Sequence, residues 1–362
     1  MNKVFLLIGL LFFSISLSAQ YRESDDILKK LLWDGKMLNV LIDMRVDGQT
    51  QFKNKDLDYV GFKGQTMRLW FAGEIVPGFT YRVRYRLNKP QDPLIRDNYS
   101  SAIDHAWLAF AIQDEWKITV GRQSMQIGTF ECDYNGADLY LSSMVNGDID
   151  LYKTGVTAAF NTGEQTFSMQ IVNSDYSQFA SEEYKNKSLN MNLLWQGSLF
   201  DGLLKTRCAY SLFQYEESTF YHWLTTGLQM NINNFSTELD YFSGRRMMDY
   251  GGIVGNPELG LRQVDDQSLS LNLKYYLGKW HFLGKGVWNK RKDTSFDDTA
   301  YSGWGTQAAV EFYPFNRERL RYLRFHAAYV YQRTIFDGPF YQQPDADSHL
   351  ALLGVRWLFK AK

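Results

Sequence analysis

Cysteine is scarce in this chain, charge excess is missing, and no long hydrophobic run follows the first twenty residues. With 2 Cys and 7 Pro in 362 residues, no disulfide scaffold organises the fold. Cys132 reads as a loop residue and Cys208 as mid-strand, both as free thiols. The 39 basic residues are balanced by 40 acidic ones, which removes the bulk electrostatic case for a nucleic-acid binder. A mean hydropathy of −0.35 argues against a helical membrane protein. What is abundant is aromatic surface: 25 Phe, 23 Tyr and 10 Trp, or 16% of the chain, within a 45% hydrophobic content that suits a large ordered structure.

The N-terminus reads as an export signal spanning residues 1–19. Met1-Asn2-Lys3 forms a short basic start, Val4 to Leu17 an apolar stretch, and Ser18-Ala19-Gln20 a small-residue cleavage site, cut most simply after Ala19 or, because Leu17 is large for its place before that cut, one residue earlier. The apolar stretch is too short to anchor, because a membrane-crossing helix needs about 20 such residues. Residues 20–35 follow as a periplasmic lead-in. Ile27, Leu28, Leu31 and Leu32 share one face of a short helical piece within it.

From there onward the dominant period is two. Phe79, Tyr81, Val83, Tyr85 and Leu87 alternate with Thr80, Arg82, Arg84, Arg86 and Asn88, giving a strand with one apolar and one charged face. The pattern recurs in Leu269-Leu271-Leu273-Tyr275-Leu277, Leu323-Phe325-Ala327-Tyr329-Tyr331 and Leu353-Val355-Trp357-Phe359. Sixteen strands are expected, near 36–47, 66–76, 79–88, 103–112, 116–122, 151–160, 166–173, 189–196, 203–213, 221–230, 235–243, 268–277, 280–289, 303–313, 322–332 and 349–359. Short turns alternate strictly with long connections, among them 48–65, 123–150, 244–267 and 290–302. An up-and-down sheet whose two ends face different compartments has this rhythm.

A soluble sandwich also alternates, but three features oppose it. The strands exceed the usual soluble length of about 5–6 residues. Aromatic residues crowd strand ends as a membrane girdle would (Trp70, Phe71, Phe79, Trp116, Trp195, Phe235, Trp280, Trp288, Phe312). The last amphipathic strand stops three residues before the C-terminus. In lipid only a closed barrel pairs every strand, so the expectation is an all-β, transmembrane, antiparallel up-and-down barrel over 36–362, with short periplasmic turns and long extracellular loops.

The stretch Gly73-Glu74-Ile75-Val76-Pro77-Gly78-Phe79-Thr80-Tyr81-Arg82-Val83-Arg84-Tyr85 resembles the second hairpin of the phosphate-selective porin O and P family of Gram-negative outer membranes. Ala106-Trp107-Leu108, Trp116-Lys117-Ile118-Thr119-Val120-Gly121-Arg122-Gln123 and the closing Leu353 to Phe359 carry the same resemblance, and the Ala19-Gln20 junction looks like those of Bacteroidetes members. The resemblance implies a trimeric, water-filled porin in outer-membrane lipid, with its third long loop folded into the lumen and basic side chains guiding anions. That constriction loop would be about 123–150. It holds no Lys or Arg, but does hold Glu131, Asp133, Asp138, Asp148 and Asp150, which departs from the family pattern.

Strand parity alone supplies candidate pore residues, since lining charges set selectivity. Arg82, Arg84 and Arg86 form an inward ladder of like charges that cannot neutralise one another. Arg45, Arg68, Lys117, Lys153, Lys205, Arg207, Lys274, Lys285 and Arg324 join them, against Asp43, Asp47, Glu74, Glu238, Asp240 and Glu311. His105, His222, His281 and His326 read as lumen-lining polar residues without metal-ligand spacing, and no cofactor is implied. No hydrolase or nucleotide-binding motif is present, and Tyr250 to Pro257 reads as surface loop with no helix. Two functions remain. One is a diffusion porin for small polar solutes and ions that favours anions such as phosphate. The other is a plugged or narrow barrel acting through its loops as adhesin, receptor or assembly partner. The width of sixteen strands favours the porin.

Overall fold

The computed structural model describes residues 31–90, 96–317, 320–337 and 341–361. The expected signal peptide (1–19) and most of the lead-in (20–30) lie outside these residues.

Sixteen antiparallel strands close into one barrel, each paired with its sequence neighbours and the last with the first. They are β1 (Asn39–Lys53), β2 (Asp56–Val76), β3 (Phe79–Arg86), β4 (Ile103–Ala111), β5 (Trp116–Ser124), β6 (Tyr152–Thr162), β7 (Gln165–Asn173) and β8 (Leu189–Leu199). The second half comprises β9 (Leu204–Gln214), β10 (Phe220–Ile232), β11 (Phe235–Asp249), β12 (Leu261–Leu277), β13 (Trp280–Asp293), β14 (Asp298–Phe312), β15 (Leu323–Phe336) and β16 (Ala346–Lys360). The seam is continuous, running from Leu41 opposite Lys360 to Lys53 opposite Ser348.

Alternation decides which side faces where. On β12, Leu269, Leu271, Leu273 and Tyr275 are exposed on the outer wall, while Ser268, Ser270 and Lys274 are buried on the inner one. An apolar exterior around a polar interior is the reverse of a soluble sheet, and it is the arrangement a lipid environment requires. At the short-turn rim aromatic pairs stack on the outside: Phe79 on Phe110, Trp280 on Phe312 and Trp357 on Phe359.

Several expectations need correcting. Most of 48–65 is strand, not loop: β1 and β2 continue to a two-residue turn at Asn54-Lys55, both at positive φ. β11 to β14 likewise extend into 244–267 and 290–302. Past the lipid-facing band both faces become polar, so the period of two fades from the sequence while backbone pairing continues. Trp70 is not in the girdle; it points inward and is buried with Leu32, Leu41, Ala72 and Leu358. His222 lies on the outer face, where its ring meets the Tyr210 hydroxyl at 2.6 Å. Gly251–Val254 forms a single helical turn where a loop without helix was expected, with Tyr250 and Val254 fully buried.

Candidate functional site

The lumen is organised by the third long loop, L3, which leaves β5 after Ser124 and re-enters the sheet at β6. Two 3-10 turns (Phe130–Asp133, Gly136–Asp138) and one short helix (α1, Met144–Asp148) give it local structure. Ser143 caps α1 by accepting from the Asn146 N–H. Its apolar residues Met125, Ile127, Val145 and Ile149 pack on inward-facing Phe213, Tyr221, Trp223 and Phe242 of β9 to β11. Burial of that apolar face draws the loop inside the barrel instead of over it.

Charge then fixes L3 to the wall. Glu131 accepts from Lys285 at 2.6 Å and from the Ser143 N–H at 2.8 Å. Asp133 pairs with Arg207, and Asp138 with both Arg324 (2.7 Å) and Arg356. Asp148 meets Arg246 at 3.0 Å and Arg291 at 3.1 Å. In the other direction, Asp240 accepts the N–H groups of Phe130 (3.2 Å) and Glu131 (2.9 Å), and Tyr134 donates to Glu238. Tyr140 donates to Glu311 at 2.9 Å beneath the Arg45 guanidinium. Burial and the Glu311 carboxylate push that phenol above its ordinary pKa, although Arg324 and Arg45 pull the other way, so it stays a donor.

The candidate residues therefore divide. Arg45 donates to the L3 carbonyls of Ala137 (3.0 Å) and Leu139 (3.1 Å) and pairs with Asp47. Arg68 donates to Asn135, while Arg207 and Lys285 hold L3 acids as described. Lys153 pairs with Asp175 at 2.7 Å near the rim. Lys117 and Lys205 face inward towards the short-turn end and form no ion pair among the described residues. The ladder is not unopposed: Asp104 on β4 meets Arg84 at 2.9 Å and Arg86 at 2.6 Å. Trp70 underlies it, with the Arg82 and Arg84 guanidiniums 4.5 and 4.9 Å from its ring.

None of the L3 contacts described above falls on β3 or β4. The arc from β2 to β4, which meets L3 at Arg68, carries Arg68, Arg82, Arg84 and Arg86 against Asp104 and, towards the short-turn end, Glu74, a local excess of positive charge beside a loop whose carboxylates are already paired. Sequence reasoning missed Asp104, Trp70, Arg246, Asp266, Arg291 and Arg356. Parity does place Arg356 inward, between Val355 and Trp357. Arg246, Asp266 and Arg291 lay in segments read as loop, yet Asp266 binds both arginines at 2.6 and 2.7 Å.

A family model described as phosphate-selective porin O and P matches residues 37–335. No curated protein matches the sequence. Among solved structures, OmpF of Salmonella typhi in complex with daunomycin is 13% identical, at a TM-score of 0.62 over 90% of this chain and 98% of that one. The outer membrane channel DcaP of Acinetobacter baumannii is 10% identical at 0.60, covering 89% and 97%. The anion-selective porin from Comamonas acidovorans is 9% identical at 0.58, covering 89% and 99%. At these identities the likeness is one of fold. Family and barrel together point to an outer-membrane channel rather than an enzyme, and the chain belongs to the phosphate-selective porin O and P family.

Proposed function

We propose that this protein is a general diffusion porin of a Gram-negative outer membrane, exported through residues 1–19, that passes small polar solutes and ions and favours anions. The observation that carries the preference is the division of lumenal charge. The acids Glu131, Asp133 and Asp138 of L3 are each bound to a wall cation, whereas on the β2–β4 arc the four arginines Arg68, Arg82, Arg84 and Arg86 outnumber the acids Asp104 and Glu74. Unequal fixed charge along a narrow path concentrates the opposite ion. The family's description and the anion-selective title of the Comamonas relative support the same sign.

The test is the reversal potential of the refolded protein in a planar bilayer under a salt gradient. We expect an anion-favouring potential, and a fall of about threefold or more in the anion-to-cation ratio when Arg82, Arg84 and Arg86 are all changed to Gln. Asp133→Asn should leave the ratio nearly unchanged, because that carboxylate is neutralised by Arg207. An unaltered ratio in the triple variant would remove the ladder from the filter.

L3 makes bonds to β1, β2, β7 to β9 and β11 to β16, which favours a second reading: a narrow barrel that works through its extracellular surface. Absence of conductance from folded barrels would select it. A homotrimer is part of the proposal, supported by the trimer form of OmpT from Vibrio cholerae, 11% identical at a TM-score of 0.60, among the structures of similar fold.

A further inference from the structure

The segment preceding β1 does not hang below the barrel. Leu32 is buried against Leu41, Trp70, Ala72 and Leu358, and the Asn39 side chain donates to its carbonyl at 2.9 Å. Asp34 pairs with Lys360 of the last strand at 2.6 Å. The Glu74 N–H donates to the Lys36 carbonyl at 3.1 Å, and Tyr81 donates to that of Met37 at 3.0 Å. The strap lies so close to β2 that a Cβ on Gly73 would stand 2.0 Å from the Met37 carbonyl oxygen. Residues 31–37 are thus a fixed part of the short-turn mouth.

Between this strap and the inner wall is a cavity of about 230 Å³, lined by Trp33, Gly35, Lys36, Glu74, Thr80 and Lys117. Trp33 stacks on Trp107 at 5.9 Å and offers an indole face. Lys117 lies 5.9 Å from the Trp107 ring and has no ion-pair partner among the described residues. Lys36 shares its ammonium with Asp34 at 3.2 Å. Glu74 accepts the Gly78 N–H at 2.9 Å through one oxygen, and none of the ion pairs among the described residues includes it. An ammonium and a carboxylate that do not reach each other therefore border one small space with a hydroxyl and an aromatic wall.

We propose that this cavity is a binding site for a small zwitterion of the amino-acid class. Lys117, helped by Lys36, receives the solute's carboxylate, Glu74 its ammonium, and Trp33 its carbon chain. With Asp34 shared between Lys36 and Lys360, three ammoniums (Lys36, Lys117, Lys360) stand against two carboxylates (Asp34, Glu74) at this mouth, which favours a solute with an additional acid. A plain anion would leave Glu74 facing like charge, and a plain amine would leave Lys117 unmatched. The site rests on the reading of the barrel as a solvent-filled conduit, but it lies apart from the arginine ladder.

Isothermal titration calorimetry on the full-length, refolded protein in detergent tests it without requiring conduction. L-glutamate should bind, acetate and ethylammonium should each bind at least about tenfold more weakly, and Lys117→Gln and Glu74→Gln should each cost about tenfold in affinity. Glutamine at 74 still accepts the Gly78 N–H, so the turn is preserved, and heat-modifiable electrophoretic mobility reports folding. The variant with Gln at 82, 84 and 86 should bind glutamate as the parent does. Equal affinity for acetate with an indifferent Glu74→Gln, binding lost in the ladder variant, or no glutamate binding by folded protein would each overturn the assignment. Selectivity in the bilayer could still hold in all three cases, so the two readings fail separately.

Discussion

Asp138 occupies a position where one carboxylate answers two guanidiniums, those of Arg324 and Arg356, on the strands beside the seam. Removing one member of a buried pair leaves an uncompensated charge, which costs about 3 kcal/mol or more. Asp138→Asn should therefore lower the thermal midpoint and raise open-channel noise; a noise spectrum equal to that of the parent would show that L3 is held by its apolar face alone. Asp97, between β3 and β4, is a different case. It accepts from Arg122 (2.7 Å), Thr154 and Asn173 (2.6 Å). Burial would raise its pKa, but the Asn173 and Thr154 hydrogen bonds and the Arg122 charge outweigh burial and hold it below the ordinary carboxylate value. A depressed folded pKa stabilises above the unfolded value of about 3.9 and loses that contribution as pH falls through the folded one. Acidification through that folded value should thus open the segment around Asp97 to an acid-active protease that leaves it intact at higher pH, and Asp97→Asn should open it to neutral proteases at neutral pH. Protection unchanged by acid would mean that the clasp does not depend on the ionised form.

At the level of elements, the β1–β2 hairpin departs furthest from its neighbours. β2 has 21 residues and β3 only 8, with the last β2–β3 pair at Arg68 and Arg86. Among the described residues the upper half of β2 therefore has no strand partner on that side, an edge of the kind soluble and membrane proteins alike tend to cover. Cross-strand rows place Phe62, Gly48 and Leu353 on one outward face, followed by Val60, Thr50 and Ala351. Phe62 is 87% exposed and Leu353 69%, well above typical outer-wall residues such as Leu269 at 40%. In the proposed trimer this face meets a second copy. Val60→Lys combined with Phe62→Lys should convert trimers to monomers in mild detergent, measured by light scattering, with monomer melting unchanged; persistent trimers would assign the contact to another face. The sequence reading missed this hairpin because Gly48-Gln49-Thr50-Gln51 carries too little apolar contrast to register as strand.

For the molecule as a whole, strand number, direction and most inward positions were legible, Trp70 and His222 excepted, because lipid outside and water inside impose alternation on every strand. Partnership inside the lumen was not. That Arg45, Arg68 and Arg207 would hold L3 depends on how far a loop reaches across a barrel, which no local spacing encodes. Asp104 likewise takes its place beside the ladder through a register irregularity between β3 and β4. Glycine 354 shows the same limit: Asp47 of β1 and His326 of β15 meet at 2.8 Å across it, and a Cβ there would lie 2.2 Å from the Asp47 carboxylate. Gly354→Ala should destabilise the closed barrel by about 1–3 kcal/mol, read by urea denaturation; no change would mean the pair relaxes freely.

L3 grips both sides of the seam, through Arg45 and Arg68 on the first two strands and Arg324 and Arg356 on the last two. During biogenesis the terminal strands are the most distant in sequence, and their meeting is the slowest loop closure the chain must make. A loop made early, already carrying acceptors for both ends, shortens that search. The order of assembly would then be written into the lumen: strands on either side of L3 first, the loop next as a template, and the seam last.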